Sequence, residues 1–363
     1  MGNKYPELFF PPIKISRHAN CREIELIMKV ITMQVISYLE TNSNDPAYNL
    51  AFEEYILTNR RNGNYIILWQ NDKTVVVGRN QIAEAEINCK FVDEHGIRVI
   101  RRSTGGGAVY HDLGNINYSF ITDVGNAEDL TIDRFLQPIV DALKSMGLKA
   151  EASGRNDILV AGHKVSGTAQ RIVRDRILHH GTLLFDTDSR MLSGALNVDP
   201  TKFESKSTKS VCSRTGNIKS FLNVNMNVHE FWALLKKELV GQGFSQINLT
   251  DEEIASILKL KSEKYDAWEW NFGKSPPYTM KNRHRFAGGL LEVYLQVESG
   301  RIHSIAFCGD FLSRKDPQEV VDQMLGKEYD RNTVNSVLHG FTLYDYFGNI
   351  SCEEIMKTIF NYE

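Results

Sequence analysis

The sequence predicts an α/β protein in two units, a large mixed α/β domain over residues 33–274 and a small α+β domain over 275–363. Three observations carry this. Helical and strand periodicities alternate through the first two-thirds of the chain. The aromatic, glycine- and proline-bearing stretch "WEWNFGKSPPY" then interrupts them and reads as an ordered linker. Beyond it remain one strand pair and two helical runs, enough for a second, smaller core. At 363 residues, 42% hydrophobic and 24% charged, the chain has the length and composition of a soluble protein of about two domains.

The elements follow in order. "MQVISYLE" reads as a strand. "SNDPAYNLAFEEYILTNRR" reads as a helix, with Asp45 at the N-cap and Pro46 at the first helical position. "YIILWQ" and "TVVVGRN" are β-rich runs separated by the turn "NDK". "IRVIRR" and "NINYSFIT" are strands, with a glycine-rich segment between them. "TIDRFLQPIVDALKSMGLK" has a helical period, with Pro138 as a kink or a first-turn residue. "DILVAGHKVSGTAQRIV" reads as a hairpin turning near Gly162, and "HHGTLLFD" as a further strand. Residues 189–222, rich in Ser, Lys and Thr, read as a long mobile loop. "NVHEFWALLKKELVGQG" restores a helix, ended by Gly243. In the second unit "GLLEVYLQVESGRIHSIAFCG" is a strand pair turning at Ser299-Gly300, while "DPQEVVDQMLG" and "SCEEIMKTIFNY" are helical.

Several classes are disfavoured. A net charge of −3 does not suit a sequence-independent nucleic-acid binder. No apolar run approaches the roughly 20 residues that span a bilayer. Five scattered cysteines without CxxC spacing argue against a disulfide framework or a zinc site, and fit a reducing cytosol. Residues 1–32 differ in character from the rest of the chain and read as an extension, with Met33 nearer the natural start. Pro6 stands where a myristoylation signal wants Ser or Thr, and Glu7, Glu23 and Glu25 spoil a mitochondrial presequence.

The chemistry concentrates in two stretches. In "VIRRSTGGGAVYHD", Gly105, Gly106 and Gly107 follow Arg101 and Arg102. Adjacent glycines allow positive φ and unobstructed N–H groups, a concavity suited to phosphate or carboxylate oxygens, and the arginines add pairing charge. Neither GxxxxGK[ST] nor GxGxxG is present, and a glycine turn with two surface arginines fits the stretch equally well. In "GRNDILVAGHKVSGTAQR", Lys164 sits beside Val165, Ser166 and Gly167. A lysine in a narrow groove can bridge a carboxylate and a phosphate as charge builds between them, the alternative being a solvated hairpin lysine. His179 and His180 suit a core or supporting role better than a metal site, since no third ligand lies at useful spacing. Cys212 is a nucleophile only by residue type, and no Ser-His-Asp set or paired carboxylates stand out. Together these describe a site for a small anion plus phosphate.

"DPAYNLAFEEYIL", "TVVVGRNQ", "RRSTGGGAVYHDLGNINYSF", "GRNDILVAGHKVSGTAQR", "HHGTLLF" and "WEWNFGKSP" occur in this order. With them the chain resembles the bacterial-type lipoate–protein ligase A family, from about Met33 to the C-terminus. The resemblance implies a mixed-sheet catalytic domain of the biotin/lipoate ligase type and a small accessory C-terminal domain. It implies that lipoate and Mg·ATP give lipoyl-adenylate, and that a lysine of a lipoyl domain then takes the lipoyl group. Acceptors would be acyltransferase subunits of 2-oxo acid dehydrogenases and the glycine-cleavage H protein, with a monomeric enzyme in the cytoplasm and no nucleic-acid or membrane partner. Arg102, Gly107, Ala108, Val109 and Tyr110 match ATP-contacting positions, and Lys164 the lysine that touches both lipoate and adenylate. Arg79, Gly105, Gly106 and His111 match lipoate-side positions. Asp157 is the candidate for Mg2+, although a turn-capping aspartate fits it too. The segment around 189–222 matches a loop that closes over the adenylate, and there Cys212 stands where the family usually has an arginine. The rival within acyl chemistry is an ATP-independent octanoyl- or lipoyltransferase, which needs a nucleophilic cysteine in the pocket.

Overall fold

The computed structural model describes residues 36–124, 132–153, 156–197, 215–240, 245–273, 280–298 and 300–361. The expected N-terminal extension 1–32, the turn position Ser299, the loop residue Cys212 and the helix stop Gly243 lie outside these. Fourteen strands form among the described residues: β1 Ile36–Glu40, β2 Asn64–Trp69, β3 Thr74–Val77, β4 Arg98–Arg101, β5 Val109–His111, β6 Asn115–Asp123, β7 Ala150–Ser153, β8 Asp157–Val160, β9 His163–Val173, β10 Arg176–Leu184, β11 Ser245–Gln246, β12 Met280–Phe286, β13 Gly289–Glu298 and β14 Arg301–Gly309.

Eight of them make one mixed sheet in the order β11-β1-β2-β6-β10-β9-β8-β7. Alternation along these strands gives each face its own core. On one side Leu68, Tyr118, Ile177 and Leu183 pack against the helices Ile132–Ser145 and Val228–Val240. On the other, Ile67, Trp69 and Ile121 meet the helix Pro46–Asn59. Asp45 caps that helix as expected, its carboxylate accepting from the Ala47 amide, and Pro46 opens the first turn. The "NDK" turn passes the chain from the large sheet to a second one, β4-β3-β5. Ala161 (φ 50°) and Gly162 (φ 81°) make the two-residue β8–β9 turn, both in the left-handed region that such a hairpin requires. Pro138 lies inside its helix rather than in the first turn.

The structure corrects two expectations. Part of the supposed loop 189–222 is regular: Asp188 caps a helix Ser189–Ala195, and Ile218–Phe221 forms a 3-10 turn. Polar composition hid the first because its apolar contacts are few, Leu192 and Ala195 being the buried ones. "WEWN" is likewise no simple linker. It forms the helical turn Trp268–Asn271, whose carbonyls bind Arg101.

The C-terminal sheet β12-β13-β14 packs on the helices Gln318–Met324, Arg331–His339 and Cys352–Phe360 around Leu291, Phe307, Val320 and Ile355. No described helix is long and apolar enough to cross a membrane.

Candidate active site

A cavity of about 460 Å³ lies between the large sheet and the β4-β3-β5 sheet, a size suited to a small-molecule ligand. Its floor is a row of residues paired across strands. Thr182 on β10 faces Asn117 on β6, and Asn117 faces Trp69 on β2. Gly167 on β9 joins the row by donating its N–H to Thr182 Oγ1 at 3.3 Å. Lys164 lies over Gly167, where an added Cβ would stand 3.4 Å from Nζ. From Lys164 to Trp69 the row therefore spans three inter-strand steps, roughly 14 Å. Leu50, Val76 and Leu184 add apolar surface to the cavity wall.

Lys164 Nζ stands 2.7 Å from Asp157 Oδ1, across a bulge that lets β9 turn this lysine into the cavity. Both side chains remain partly exposed, at 38% and 31%, so the lysine is held by one carboxylate and open to a ligand. The described residues contain no cluster of three His, Cys, Asp or Glu side chains fit to hold a metal. A cation at Asp157 would thus depend on ligands from a bound phosphate.

The glycine segment runs from β4 to β5, and the structure explains its composition sterically. A Cβ at Gly78 would fall 1.9 Å from the Gly106 carbonyl oxygen, and one at Gly105 2.8 Å from the Ser313 amide. Gly106 has φ +87° and donates its N–H to the Phe311 carbonyl at 3.0 Å. The loop is thus threaded between β3 and a strap from the C-terminal unit, which also brings Asp310 and Leu312 to the cavity wall.

The two arginines do not face solvent, nor do they point free charge at the cavity. Arg101, 0% exposed, donates to the carbonyls of Gly78, Gln81, Trp270 and Asn271. Arg102 donates to Val76, Gly105 and Gly107 carbonyls and to Thr104 Oγ1. Burial lowers the Arg102 pKa to about 10, against the opposing pull of Glu53. Both are internal staples that fix the glycine backbone, and of the two Arg102 lines the cavity.

A buried relay continues from Arg102. Thr104 Oγ1 accepts from Arg102 Nε and lies 2.8 Å from His180 Nε2. His180 Nδ1 lies 2.9 and 3.0 Å from the Glu53 carboxylate, which also accepts from Ser119 Oγ at 2.5 Å. Ser119 accepts from Trp69 Nε1. Glu53 was not singled out in the sequence, although a carboxylate on the apolar run "NLAFEEYIL" was a usable signal. His179 belongs to the opposite face, stacked on Phe135 at 4.9 Å.

Of the predicted residues, Arg102, Gly106, Gly107, Ala108, Val109, Tyr110, His111, Asp157 and Lys164 line the one cavity. Gly105 and Arg79 do not. Gly105 packs on the strap, and Arg79 is ion-paired with Asp316 of the C-terminal unit.

The family description "Lipoyl protein ligase A/B catalytic domain" matches residues 45–240, which hold Lys164 and the glycine segment, and "Bacterial lipoate protein ligase C-terminus" matches 275–359. The chain belongs to the lipoate–protein ligase family. It is 39% identical to lipoate-protein ligase LplJ of Bacillus subtilis, over 88% of this chain and 98% of that protein. It is 38% identical to lipoate–protein ligase 1 of Staphylococcus aureus, over 87% and 97%. Among solved structures, P. falciparum LipL1 in complex with lipoate superposes with a TM-score of 0.74 at 25% identity, covering 91% of this chain and 100% of that one. A lipoate-protein ligase A bound with ATP gives 0.57 at 27% identity, covering 66% and 98%. These relatives share the mixed sheet and give this ligase its fold class. The glycine segment and Lys164, both within the matched catalytic region, converge on one cavity.

Proposed function

We propose that the chain activates lipoate with Mg·ATP and passes the lipoyl group to a lysine of a lipoyl domain. The observation that carries this is the placement of Lys164 at one end of a slot whose walls include Leu50, Trp69, Val76 and Leu184. By the projection of an extended chain, about 3.5 Å per three bonds, an eight-carbon acyl group spans roughly 9 Å and fits the slot. Its carboxylate then sits at Lys164 Nζ, with the glycine-segment backbone from Gly107 to Tyr110 as the nucleotide wall and Arg102 as its brace. The structures of relatives bound to lipoate and to ATP support both halves of the assignment.

In the first step a carboxylate oxygen attacks the α-phosphorus, the bond to the bridging oxygen breaks, and pyrophosphate leaves. Both reactants are anions, so positioning and charge neutralisation carry the catalysis, and Lys164 supplies a charge between them. Mg2+ enters with ATP as substrate, and Asp157, beside Lys164 in the cavity, is the carboxylate we assign to it. In the second step the acceptor's ε-amine attacks the acyl carbon, the bond to the adenylate oxygen breaks, and AMP leaves. An archaeal bi-partite ligase described with its E2 lipoyl domain supports this acceptor class. Acyltransferase subunits of 2-oxo acid dehydrogenases and the glycine-cleavage H protein are the acceptors we propose. The same reading divides the chain at residues 274 and 275, just before β12.

An ATP-independent transfer would need a cysteine in the cavity. None of the described residues lining it is one, and the free cysteines Cys89, Cys308 and Cys352 lie elsewhere. Lipoate-dependent exchange of pyrophosphate into ATP is expected, and its absence with Mg2+ present would refute adenylation.

A further inference from the structure

Lys164 reaches the cavity only because β9 breaks its alternation. Gly167 and Ala169 line the cavity, so strict alternation would bring Val165 to that face and turn Lys164 to the other. The opposite is found. Val165 is fully buried in the core on the far face, with Ile158, Tyr118 and Leu183, while Lys164 lies over Gly167. The pairing shows how. From the Ala161-Gly162 turn, Val160 meets His163 and Leu159 meets Lys164, whereas farther on Ile158 meets Ser166 and Asp157 meets Gly167. Val165 is the residue left over, and the bulge there puts Lys164 and Asp157 on one face.

Counted on from the turn without a break, Asn156 would meet Gly167. It is fastened to Thr168 instead. The Thr168 N–H and Oγ1 both donate to the Asn156 carbonyl, at 2.9 and 3.2 Å. The return bond, which a strand ladder takes from a backbone N–H, comes from side-chain Nδ2, which donates to the Thr168 carbonyl at 2.9 Å. Asparagine suits this position: an ionised aspartate has the size but no donor, and alanine has neither. β8 is only four residues long, Asp157–Val160, so the clamp at its start adds to few ladder bonds. We propose that Asn156 is a positioning residue: its amide clamp on Thr168 sets the register of β8 on β9, and so holds Asp157 at 2.7 Å from Lys164 Nζ at the head of the slot. This rests on the reading of Lys164 as the lysine of adenylation.

A double-mutant cycle tests it. Single-turnover formation of lipoyl-adenylate by the full chain is measured for wild type, Asn156→Ala, Lys164→Ala and the double variant, across ATP concentration at saturating lipoate. Asn156→Ala is expected to slow the step by about tenfold or more at saturating ATP, within the hundredfold that a misplacement of about 1 Å costs, and to leave the half-saturating ATP concentration unchanged within about twofold. In Lys164→Ala it should slow the step no further, because the group it positions is gone. Asn156→Asp, which keeps the size and loses the donor, should match Asn156→Ala. An equal further loss in the Lys164→Ala background, or a raised half-saturating ATP concentration, overturns the proposal, since Asn156 also lines the cavity and would then act on the nucleotide itself. So does a wild-type rate in folded Asn156→Asp, or a rate loss that tracks unfolding in thermal denaturation. If wild type makes no adenylate, the adenylation reading falls and the positioning role falls with it.

Discussion

Lys164→Ala separates a catalytic lysine from a structural one, because the structure assigns its two costs very differently. For stability, the side chain contributes one ion pair with Asp157, both partners about a third exposed. Such pairs contribute roughly 0–1 kcal/mol once solvent screening is counted. Truncation opens no core void, since the stem lies over Gly167 at the cavity edge. The melting temperature should therefore move by no more than a few degrees. For catalysis, the proposed mechanism puts Nζ at the head of the slot, between two anions that it brings together. Removing one transition-state charge stabiliser costs about 3–4 kcal/mol, or two to three decades in rate. Single-turnover formation of lipoyl-adenylate, measured by quenched flow with labelled ATP, reads the second quantity, and thermal denaturation reads the first. Lys164→Arg should not restore the rate, because a planar fork does not replace a compact ammonium in a narrow groove. Retention of more than a tenth of wild-type rate in Lys164→Ala, or a rate loss that tracks unfolding, would refute this reasoning.

The same geometry sets further outcomes. Gly78→Ala places a Cβ against the Gly106 carbonyl and should cost about 1–3 kcal/mol in denaturant unfolding, with adenylation lost alongside. Arg101→Met leaves the carbonyls of Gly78, Gln81, Trp270 and Asn271 without their buried donor, and should destabilise by at least about 1–3 kcal/mol in the same assay. Glu54 gives a pH signature: burial raises its pKa, but Lys264 and Arg171 outweigh that and bring it to about 2. A depressed carboxyl stabilises the fold above its unfolded pKa, so this contribution, about 3 kcal/mol, is complete above about pH 5 and lost as pH falls toward 2. Urea midpoints across that window should fall less steeply in Glu54→Gln than in wild type.

The main sheet was legible because its strands and capped helices follow local rules, as the Asp45-Pro46 start and the Ala161-Gly162 turn show. The helix Asp251–Leu260 carries an equally local signal, the capping box of Thr250 and Glu253, although no expectation was attached to it. Other features depended on distant partners. Charge type alone cannot distinguish a solvated arginine from one enclosed by carbonyls, and Arg101 finds its partners at Gly78 and, far along the chain, at Trp270 and Asn271. The glycines likewise suggested an anion nest, whereas Gly105 and Gly106 owe their small size to the strap at Phe311–Ser313. Lys164 was recognisable from the small residues beside it, and Gly167 proves to be the surface it lies on. Glu53 was not recognised, because its role on the helix Pro46–Asn59 needs His180 and Ser119 from two strands of the sheet.

The central claim is that this cavity activates lipoate for transfer to protein. Intact mass of a lipoyl-domain acceptor, incubated with the full chain, lipoate and Mg·ATP, tests it most directly. The account predicts a gain of one lipoyl group, dependent on ATP and abolished when the acceptor lysine is replaced. An acceptor that stays unmodified with folded protein, or is modified equally without ATP, would contradict it.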